Sequence, residues 1–303
     1  MGCGFSRHEQ WDVNGMIYVP SKKIGEGSYG IVWAVKSSAG EIYALKRMIL
    51  GDDNRSLALK EIDLLLELSA LNHPNIIKLV EYAENPWKQG MYEYLLLFPL
   101  YTGSLQQYLT HLRENEQNLS LKEAIAIFVG VCEGVTCFHH HSPPLVHRDI
   151  KPGNILLTSS KSPILIDFAS AGLANVPVSD TSAALNMQDS IDLVCTQAYM
   201  APELLMVSPN VLLSPASDVW SLGCLLFALT YGRGISPWEK EAMRGGSAKL
   251  AALSGVVHYP DALEGYPYPM GLKTLINSLL DMDPQRRGTV DSVILEAKGL
   301  IHV

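Results

Sequence analysis

The sequence predicts an α+β protein in two parts: a small antiparallel sheet with one helix, followed by a larger and mainly helical part. The first third of the 303-residue chain alternates apolar and polar residues, and the remainder shows helical periodicity. Apolar residues make up 48% and charged residues 18%, which is typical of a folded globular chain. We expect an N-terminal segment over 1–17, the first part over 18–100 and the second over 101–303.

Each element follows from a local pattern. Alternation with β-branched and aromatic residues predicts extended segments over Tyr18–Ile24, Ile31–Lys36, Glu41–Ile49, Ile76–Glu81 and Tyr92–Pro99. Apolar residues at helical spacing predict a helix over Ser56–Leu71, which the sequence Asn72-His73-Pro74 ends. In the second part, the same spacing predicts helices over Leu105–Leu112 and Leu121–His139.

Charge and cysteine content argue against several functions. The net charge of −8, from 23 basic and 31 acidic residues, argues against a broad basic face, so we expect no nucleic-acid partner. The five cysteines form no Cys-x-x-Cys pair, which favours a reducing, cytosolic compartment over a zinc site or a disulfide framework. The longest apolar stretches are shorter than the roughly 18 residues that a membrane-spanning helix needs.

The first six residues contain a lipidation pattern. Met1 to Ser6 fits the Met-Gly-x-x-x-Ser/Thr acceptor for myristoylation at Gly2, and Cys3 lies beside it for a second acyl chain. One myristoyl chain binds membranes only marginally, whereas two give stable anchoring. The alternative is an unmodified, flexible N-terminus. We predict a membrane-surface partner reached through acyl chains on Gly2 and Cys3.

A glycine-rich segment runs from Ile24 to Val32 and fits the pattern Gly-x-Gly-x-x-Gly-x-Val. Missing side chains let backbone amides approach phosphate groups closely. In a dinucleotide-binding fold such glycines would open a helix, but here a strand-forming run from Ile31 follows them. The pattern by itself also fits a plain hairpin, so the interpretation depends on the residues downstream.

Lys46 lies in the third predicted strand. The two-residue period puts Ala44 and Lys46 on one face, while Tyr43 and Leu45 point away. A lysine inside an apolar strand is costly unless it is paired, and Glu61 on the following helix is the natural partner. The alternative is a solvated lysine at the edge of the sheet.

Two acidic groups and an amide come from a later segment. The run from His147 to Asn154 follows a helix, and Asp167-Phe168-Ala169 comes thirteen residues after Asn154. Phosphoryl transfer requires metal-held phosphates, a positioned hydroxyl and positive charge near the transferred group. This segment contains residues suited to each requirement.

With these residues in this order, the chain resembles a eukaryotic-type protein kinase from about Tyr18 to its C-terminus. The resemblance implies a bilobal kinase fold, ATP, and Mg²⁺ or Mn²⁺. It implies that Asp149 accepts the proton of the substrate hydroxyl, that Lys151 neutralises the γ-phosphate, and that Lys46, paired with Glu61, binds the α- and β-phosphates. Asn154 and Asp167 would hold the metal. The Lys-Pro sequence after Asp149 resembles serine/threonine kinases, so protein substrates with Ser or Thr acceptors are expected.

The resemblance also implies a nucleotide pocket. Leu97, six residues before Gly103, would be the gatekeeper, and Phe98 and Leu100 would offer backbone groups to adenine. The full set of nucleotide-binding residues expected on this basis is Ile24, Gly25, Glu26, Gly27, Ser28, Tyr29, Gly30, Val32, Ala44, Lys46, Phe98, Leu100 and Leu156.

Four further contacts follow from the same resemblance. Glu203, in Ala201-Pro202-Glu203, would pair with Arg287, and Asp218 would hold the backbone of the catalytic loop. Thr196 would contact Asp149 and Lys151. Arg148 resembles the arginine with which kinases bind an activation-segment phosphate.

One position departs from the family pattern. Ala169 replaces the glycine expected after Asp167-Phe168, at a cost of order 1 kcal/mol if its φ must be positive. The alternative function is therefore a membrane-tethered, nucleotide-binding pseudokinase scaffold. A small-molecule kinase is disfavoured by Lys151-Pro152 and by the complete Ala-Pro-Glu segment.

At subfamily level, the chain resembles the myristoylated and palmitoylated serine/threonine kinases of the Numb-associated kinase family. The residues that carry this resemblance are Met1-Gly2-Cys3, Tyr43 to Arg47, Asn72 to Ile76 and Cys195 to Tyr199. The resemblance implies a location at the cytosolic face of membranes, Golgi or plasma membrane, and partly in the cytoplasm.

Overall fold

The computed structural model describes residues 10–27, 30–88, 90–260 and 268–301. Four predicted site residues, Gly2, Cys3, Ser28 and Tyr29, lie outside the described residues. The chain divides into two compact units, one ending at Thr102 and the other beginning at Gly103. Among the described residues, no helix is both long enough and apolar enough to cross a membrane.

The first unit is built on a six-stranded antiparallel sheet. Its strands are β1 (Trp11–Val13), β2 (Met16–Gly27), β3 (Gly30–Ser37), β4 (Ile42–Gly51), β5 (Glu81–Lys88) and β6 (Met91–Pro99), in the order β1-β2-β3-β4-β6-β5. Helix α1 (Asp52–Ala70) follows β4. The first three predicted strands, the strand at Tyr92–Pro99 and the helix are confirmed.

One prediction for this unit needs correction. The extended segment expected over Ile76–Glu81 is not the fifth strand, which is instead Glu81–Lys88. Ile76 and Ile77 are apolar because they are buried in the core, not because they pair in the sheet. Pro86 argues against a strand at Glu81–Lys88 when the sequence is considered alone. Proline is tolerated there because β5 is an edge strand.

The N-terminal segment expected over 1–17 contributes to this sheet. Trp11 and Val13 in β1 are 5% and 2% exposed and belong to a core cluster with Tyr18, Val35 and Leu45. Strand β1 therefore extends the sheet at the edge beside β2, its Trp11 and Val13 side chains pack into the core cluster on one face, and the folded part of the chain begins before Tyr18.

The second unit is mainly helical. Its helices are α2 (Leu105–Glu114), α3 (Leu121–His139), α4 (Thr181–Val194), α5 (Pro202–Leu205), α6 (Ala216–Leu229), α7 (Glu239–Met243), α8 (Ala248–Ser254), α9 (Met270–Leu279) and α10 (Val290–Gly299). Short strands join them: β7 (Gly103–Ser104), β8 (Leu145–Val146), β9 (Ile155–Leu157), β10 (Pro163–Leu165), β11 (Gly172–Leu173), β12 (Val176–Val178) and β13 (Val211–Leu213). The predicted α+β class is confirmed.

Local sequence explains where two of these helices begin. Ser104 and Ser120 cap α2 and α3, and each accepts a hydrogen bond from the backbone N–H three residues later. Gln107 and Glu123 complete the two capping boxes by accepting from the cap residue's own N–H. Both helices were predicted, and α3 has the predicted bounds.

Helix α6 forms the centre of the second unit's core. Every residue from Ser217 to Leu229 is buried, as expected of a helix that is apolar on all sides. Trp220 stacks on Trp238 with ring centroids 5.8 Å apart, and the Arg287 guanidinium lies 5.0 Å from the Trp220 ring. Through Asp218, α6 also contacts the backbone of His147 and Arg148, in the loop that carries Asp149.

Candidate active site

Lys46 and Glu61 form an ion pair in the first unit. The Lys46 Nζ donates to Glu61 Oε1 at 2.7 Å, and the two side chains are only 16% and 5% exposed. The predicted pairing is confirmed. Because β4 and α1 each contribute one partner, the pair holds the ammonium group at a defined place on the sheet.

A cluster of contacts fixes the first turns of α1. Arg55 donates to Glu84 Oε1 at 2.6 Å and to the Tyr94 hydroxyl at 3.3 Å, and its guanidinium lies 4.1 Å from the Tyr92 ring centroid. These contacts tie the helix that carries Glu61 to β5 and β6. The sequence contains no signal for them, because the partners lie 29 to 39 residues from Arg55.

The glycine-rich segment joins two paired strands, as predicted. Gly27 pairs with Gly30, and Gly25 pairs with Val32. A Cβ on Gly30 would lie 2.3 Å from the Arg47 carbonyl oxygen, so only glycine fits there. Glycine at this position lets β3 lie close to β4 beside Lys46.

The residues on the Lys46 face of the sheet can be read from strand pairing. Val32 pairs with Lys46, and Ala44 pairs with Phe98. Directly opposed residues in an antiparallel sheet share a face. Val32, Ala44 and Phe98 therefore lie on the same face as Lys46, as the resemblance implied for the first two.

The prediction that Leu97 is the gatekeeper is wrong for this strand register. Leu97 pairs with Leu45 and belongs to the core cluster on the opposite face, and it is 1% exposed. The position six residues before Gly103 lies on the opposite face of β6, one residue away from the face that Lys46 shares. At this end of β6, Phe98 shares the face of Lys46, so its side chain, rather than that of Leu97, is placed for the gatekeeper role.

The other predicted nucleotide-binding residues are placed as follows. Ile24 and Leu100 are 39% and 42% exposed. Glu26 is exposed and pairs with Lys23 on the same strand. Leu156, in β9 of the second unit, is half-buried. Their roles in nucleotide binding stay predictions.

Asp149 is the centre of a hydrogen-bond network in the second unit. Its carboxylate accepts from Lys151 Nζ at 2.6 Å, from Asn154 Nδ2 at 2.7 Å and from the Thr196 backbone N–H at 3.0 Å. Lys151 also donates to the Thr196 hydroxyl at 2.5 Å. The contacts predicted for Thr196 are confirmed, and they hold the Asp149 carboxylate in one orientation.

Asn154 and Asp167 fit a hard divalent cation. Asn154 donates through Nδ2 to the Asp149 backbone and side chain at 2.9 and 2.7 Å, which leaves its carbonyl oxygen as an acceptor. Asp167 is an exposed carboxylate. Amide and carboxylate oxygens are the ligands that Mg²⁺ prefers, so these donor atoms suit such a metal.

Asp218 holds the backbone of the catalytic loop. It is fully buried, and it accepts from the backbone N–H groups of His147 and Arg148, both at 2.8 Å, and from His139 at 3.0 Å. Burial by itself would raise the pKa of Asp218, but these hydrogen bonds and the nearby histidines hold that pKa below its ordinary value. The predicted role of Asp218 is confirmed, whereas no sequence signal indicated His139 as its partner.

Arg148 contacts the protein backbone. Its guanidinium donates to the Leu173 carbonyl oxygen at 3.1 Å and lies against Gly172, where a Cβ would be 2.9 Å from Nη1. Burial lowers the pKa of Arg148. Cys195 lies nearby, and burial raises its pKa to about 12, so it is a neutral thiol. The Arg148 guanidinium, which was expected to bind a phosphate, contacts β11 in this structure.

Glu203 and Arg287 form the predicted ion pair. Two hydrogen bonds, at 2.7 and 2.9 Å, join the guanidinium to both carboxylate oxygens, and the Arg287 side chain is fully buried. Arg287 also donates to the carbonyls of Asp281 and Ala216. The pair therefore ties the end of the activation segment to the chain before α10.

The backbone at Ala169 is unstrained. Asp167 has a positive φ of 66°, but Ala169 is not among the positive-φ residues of the described chain. Phe168, 2% exposed, packs edge-on against Phe138 and His147 with centroids 5.1 and 5.9 Å away. The conditional cost expected for alanine at position 169 does not arise in this conformation.

Comparison with known proteins places these features in a family. The protein kinase domain model matches residues 18–297. Human serine/threonine-protein kinase 16 is 31% identical over 286 residues, covering 93% of this chain and 90% of the human one. The rat protein of the same name is 30% identical over 286 residues. A probable serine/threonine-protein kinase of Dictyostelium discoideum is 29% identical, covering 96% of each chain.

The chain therefore belongs to the protein kinase family. It is a protein serine/threonine kinase, similar over most of its length to serine/threonine-protein kinase 16. The predicted fold and the predicted resemblance are confirmed. Members of this family bind ATP and use a divalent metal.

Proposed function

We propose that this protein transfers the γ-phosphoryl group of ATP, as its Mg²⁺ complex, to Ser or Thr hydroxyls of protein substrates at a cytosolic membrane surface. The single observation that carries the chemical part is the network around Asp149. A carboxylate held by Lys151, Asn154 and Thr196 is oriented to accept the proton of an incoming hydroxyl.

Each residue has a defined role in this proposal. Lys46, oriented by Glu61, binds the α- and β-phosphates, and Lys151 neutralises charge on the transferred group. Asn154 and Asp167 would hold the metal, which would supply positive charge that offsets the negative charge of the phosphates. Asp149 positions the acceptor hydroxyl and takes its proton. Buried Asp218 keeps the loop that carries Asp149 in place.

Steady-state release of ADP tests this chemistry. We expect activity in the wild type with Mg²⁺ or Mn²⁺ and at least a hundredfold loss in Lys46→Met and Asp167→Asn. Lys240→Met, which changes a half-buried lysine in α7, is the matched control and should retain activity. Equal background in the wild type and both site variants would overturn the proposal.

The alternative is a nucleotide-binding pseudokinase scaffold, which was suggested by Ala169. The unstrained backbone of Ala169 gives no reason for lost turnover, and the ion pair and the acidic groups required for transfer are present. The same ADP assay separates the two, because a scaffold binds nucleotide without releasing ADP.

The membrane part of the proposal depends on Gly2 and Cys3. The pattern from Met1 to Ser6 supports two acyl chains, which together give stable anchoring at the cytosolic face of the Golgi or plasma membrane. Labelling cells with alkynyl myristate and alkynyl palmitate tests this. Gly2→Ala should abolish the myristate label, and Cys3→Ser should abolish only the palmitate label. Full labelling of both variants would overturn the anchoring proposal.

A further inference from the structure

Helix α4 lies in the activation segment and is attached by one side. Ile191 and Ala184 are 1% and 4% exposed. Gln188 donates to the Leu204 carbonyl at 3.0 Å and accepts from the Val207 N–H at 2.9 Å. These contacts hold the helix against α5 and the chain that follows it, so the opposite side of the helix points outward.

The outward side of α4 carries two leucines and two aspartates. Leu185, Asp189, Asp192 and Leu193 occur at positions i, i+4, i+7 and i+8, which places them on one helical face. Leu185 is 62% exposed and Leu193 is 81% exposed. Both aspartates are exposed, and neither forms an ion pair within the described residues. We call these four residues the α4 outer face.

The stretch of sequence that contains α4 has no positive side chain. From Ser162 to Gly232 the sequence contains no Lys, Arg or His, so every side chain that is charged at neutral pH in this stretch is a carboxylate. Glu203 and Asp218 have partners, Arg287 and His139, that lie outside the stretch. Asp192 Oδ1 accepts from Gln188 Nε2 at 3.0 Å, but both carboxylates are exposed and have no ion pair within the described residues, so a cation from another molecule can pair with them.

The α4 outer face is near the catalytic residues along the chain. Leu193 precedes Thr196 by three residues, which span at most about 11 Å when extended. The Thr196 N–H donates to Asp149 at 3.0 Å. A substrate peptide whose acceptor hydroxyl lies at Asp149 would therefore need about three to five further residues to reach Leu193 and Asp192, at the end of α4 nearer to Thr196.

We propose that the α4 outer face is a docking surface for the substrate protein, binding a segment with a basic residue and an apolar residue about three to five positions from the phosphorylated Ser or Thr. Charge complementarity selects this occupant, because carboxylates beside exposed leucines attract cationic, partly apolar peptides and repel anionic lipid and nucleic acid. The proposal rests on the proposed kinase function and adds the class of substrate.

Paired peptides test the docking surface with the full chain. One set has a single Ser acceptor with Arg and Leu three to five residues to either side, and the matched set has Gln in place of Arg. We expect wild type to prefer an Arg peptide about tenfold in kcat/KM, mainly through KM, and this preference to weaken at high salt. Asp189→Asn with Asp192→Asn should remove the preference and leave the rate on Gln peptides unchanged.

Two further variants sharpen the test. Asp189→Lys with Asp192→Lys should transfer the preference to peptides with Glu in place of Arg. The matched control is Leu295→Ser with Glu296→Gln on α10, where Leu295 is 72% exposed, and it should behave as wild type. Equal use of Arg and Gln peptides by wild type, or a preference that survives the Asp189 and Asp192 changes, would overturn the docking proposal.

Two other results have distinct meanings. No phosphorylation of any peptide, with no ADP release, overturns the proposed kinase function, and the docking proposal falls with it. A wild-type dimer in light scattering that becomes monomeric on changing Leu185 and Leu193 to Ser would show that a second copy occupies the face, and this too overturns the proposal.

Discussion

The Thr196 hydroxyl accepts a hydrogen bond from Lys151 at 2.5 Å while the Thr196 N–H donates to Asp149 at 3.0 Å. One residue of the activation segment thus contacts both catalytic side chains. The placement of Lys151 and Asp149 in this structure therefore depends on the position of the activation segment.

We expect Thr196→Val to lower kcat between about tenfold and a hundredfold, because it removes a hydrogen bond to a charged group worth roughly 1–3 kcal/mol. Thr196→Ser keeps the hydroxyl and should restore most of the activity. Thr274→Val on α9 is the control. Unchanged kcat in Thr196→Val would show that Lys151 does not need this contact.

Asp218→Asn should destabilise the protein by about 3–5 kcal/mol, because it removes a buried negative charge that accepts from His139 and two backbone N–H groups. The measurement is urea unfolding of both proteins at pH 6. An effect below about 1 kcal/mol would contradict this role.

The same pair of proteins should show a defined pH dependence. The pKa of Asp218 in the folded protein is below its unfolded value of about 3.9. The stability that ionised Asp218 contributes is therefore complete above about pH 3.9 and is lost as the pH falls through the folded pKa. The stability difference between wild type and Asp218→Asn should therefore be constant from pH 5 to pH 7 and shrink below about pH 4. A difference that grows on acidification would show the opposite sign of shift.

Arg55→Ala should lower kcat about three- to tenfold, because Arg55 holds the helix that carries Glu61 against Glu84 and Tyr94. If Arg55 acts through Glu61, the variant Arg55→Ala with Glu61→Gln should be no less active than Glu61→Gln alone. Arg55→Lys should rescue part of the loss, and Arg244→Ala, an exposed arginine, is the control. Fully additive losses in kcat would contradict a positioning role.

Ala169→Gly should lower the free energy of unfolding by about 0.4–1 kcal/mol and leave kcat within about twofold. Glycine gains freedom in the unfolded chain, and the φ of Ala169 does not require it. The measurements are urea unfolding and ADP release. A large rise in kcat would show that alanine impairs turnover.

Much of the fold and site could be predicted because it depends on local patterns. Ser104 and Ser120 start their helices through contacts three residues away. Strand alternation was enough to place Lys46 and Leu45 on opposite faces of the sheet. The ion pairs Lys46–Glu61 and Glu203–Arg287 followed from motif order. The placement of a nucleotide and the roles at Gly2 and Cys3 stay predictions.

Other features were decided only by tertiary structure. The face of Leu97 depends on its pairing with Leu45, and a shift of one residue reverses every side chain on a strand. The fifth strand lies at Glu81–Lys88 because β6 pairs there, despite Pro86. His139 and its partner Asp218 are 79 residues apart in the sequence, and Arg55 and its partner Glu84 are 29 residues apart. The sequence by itself determined the motif residues and most elements, whereas register and distant contacts required the folded chain, because no local pattern encodes which surfaces meet.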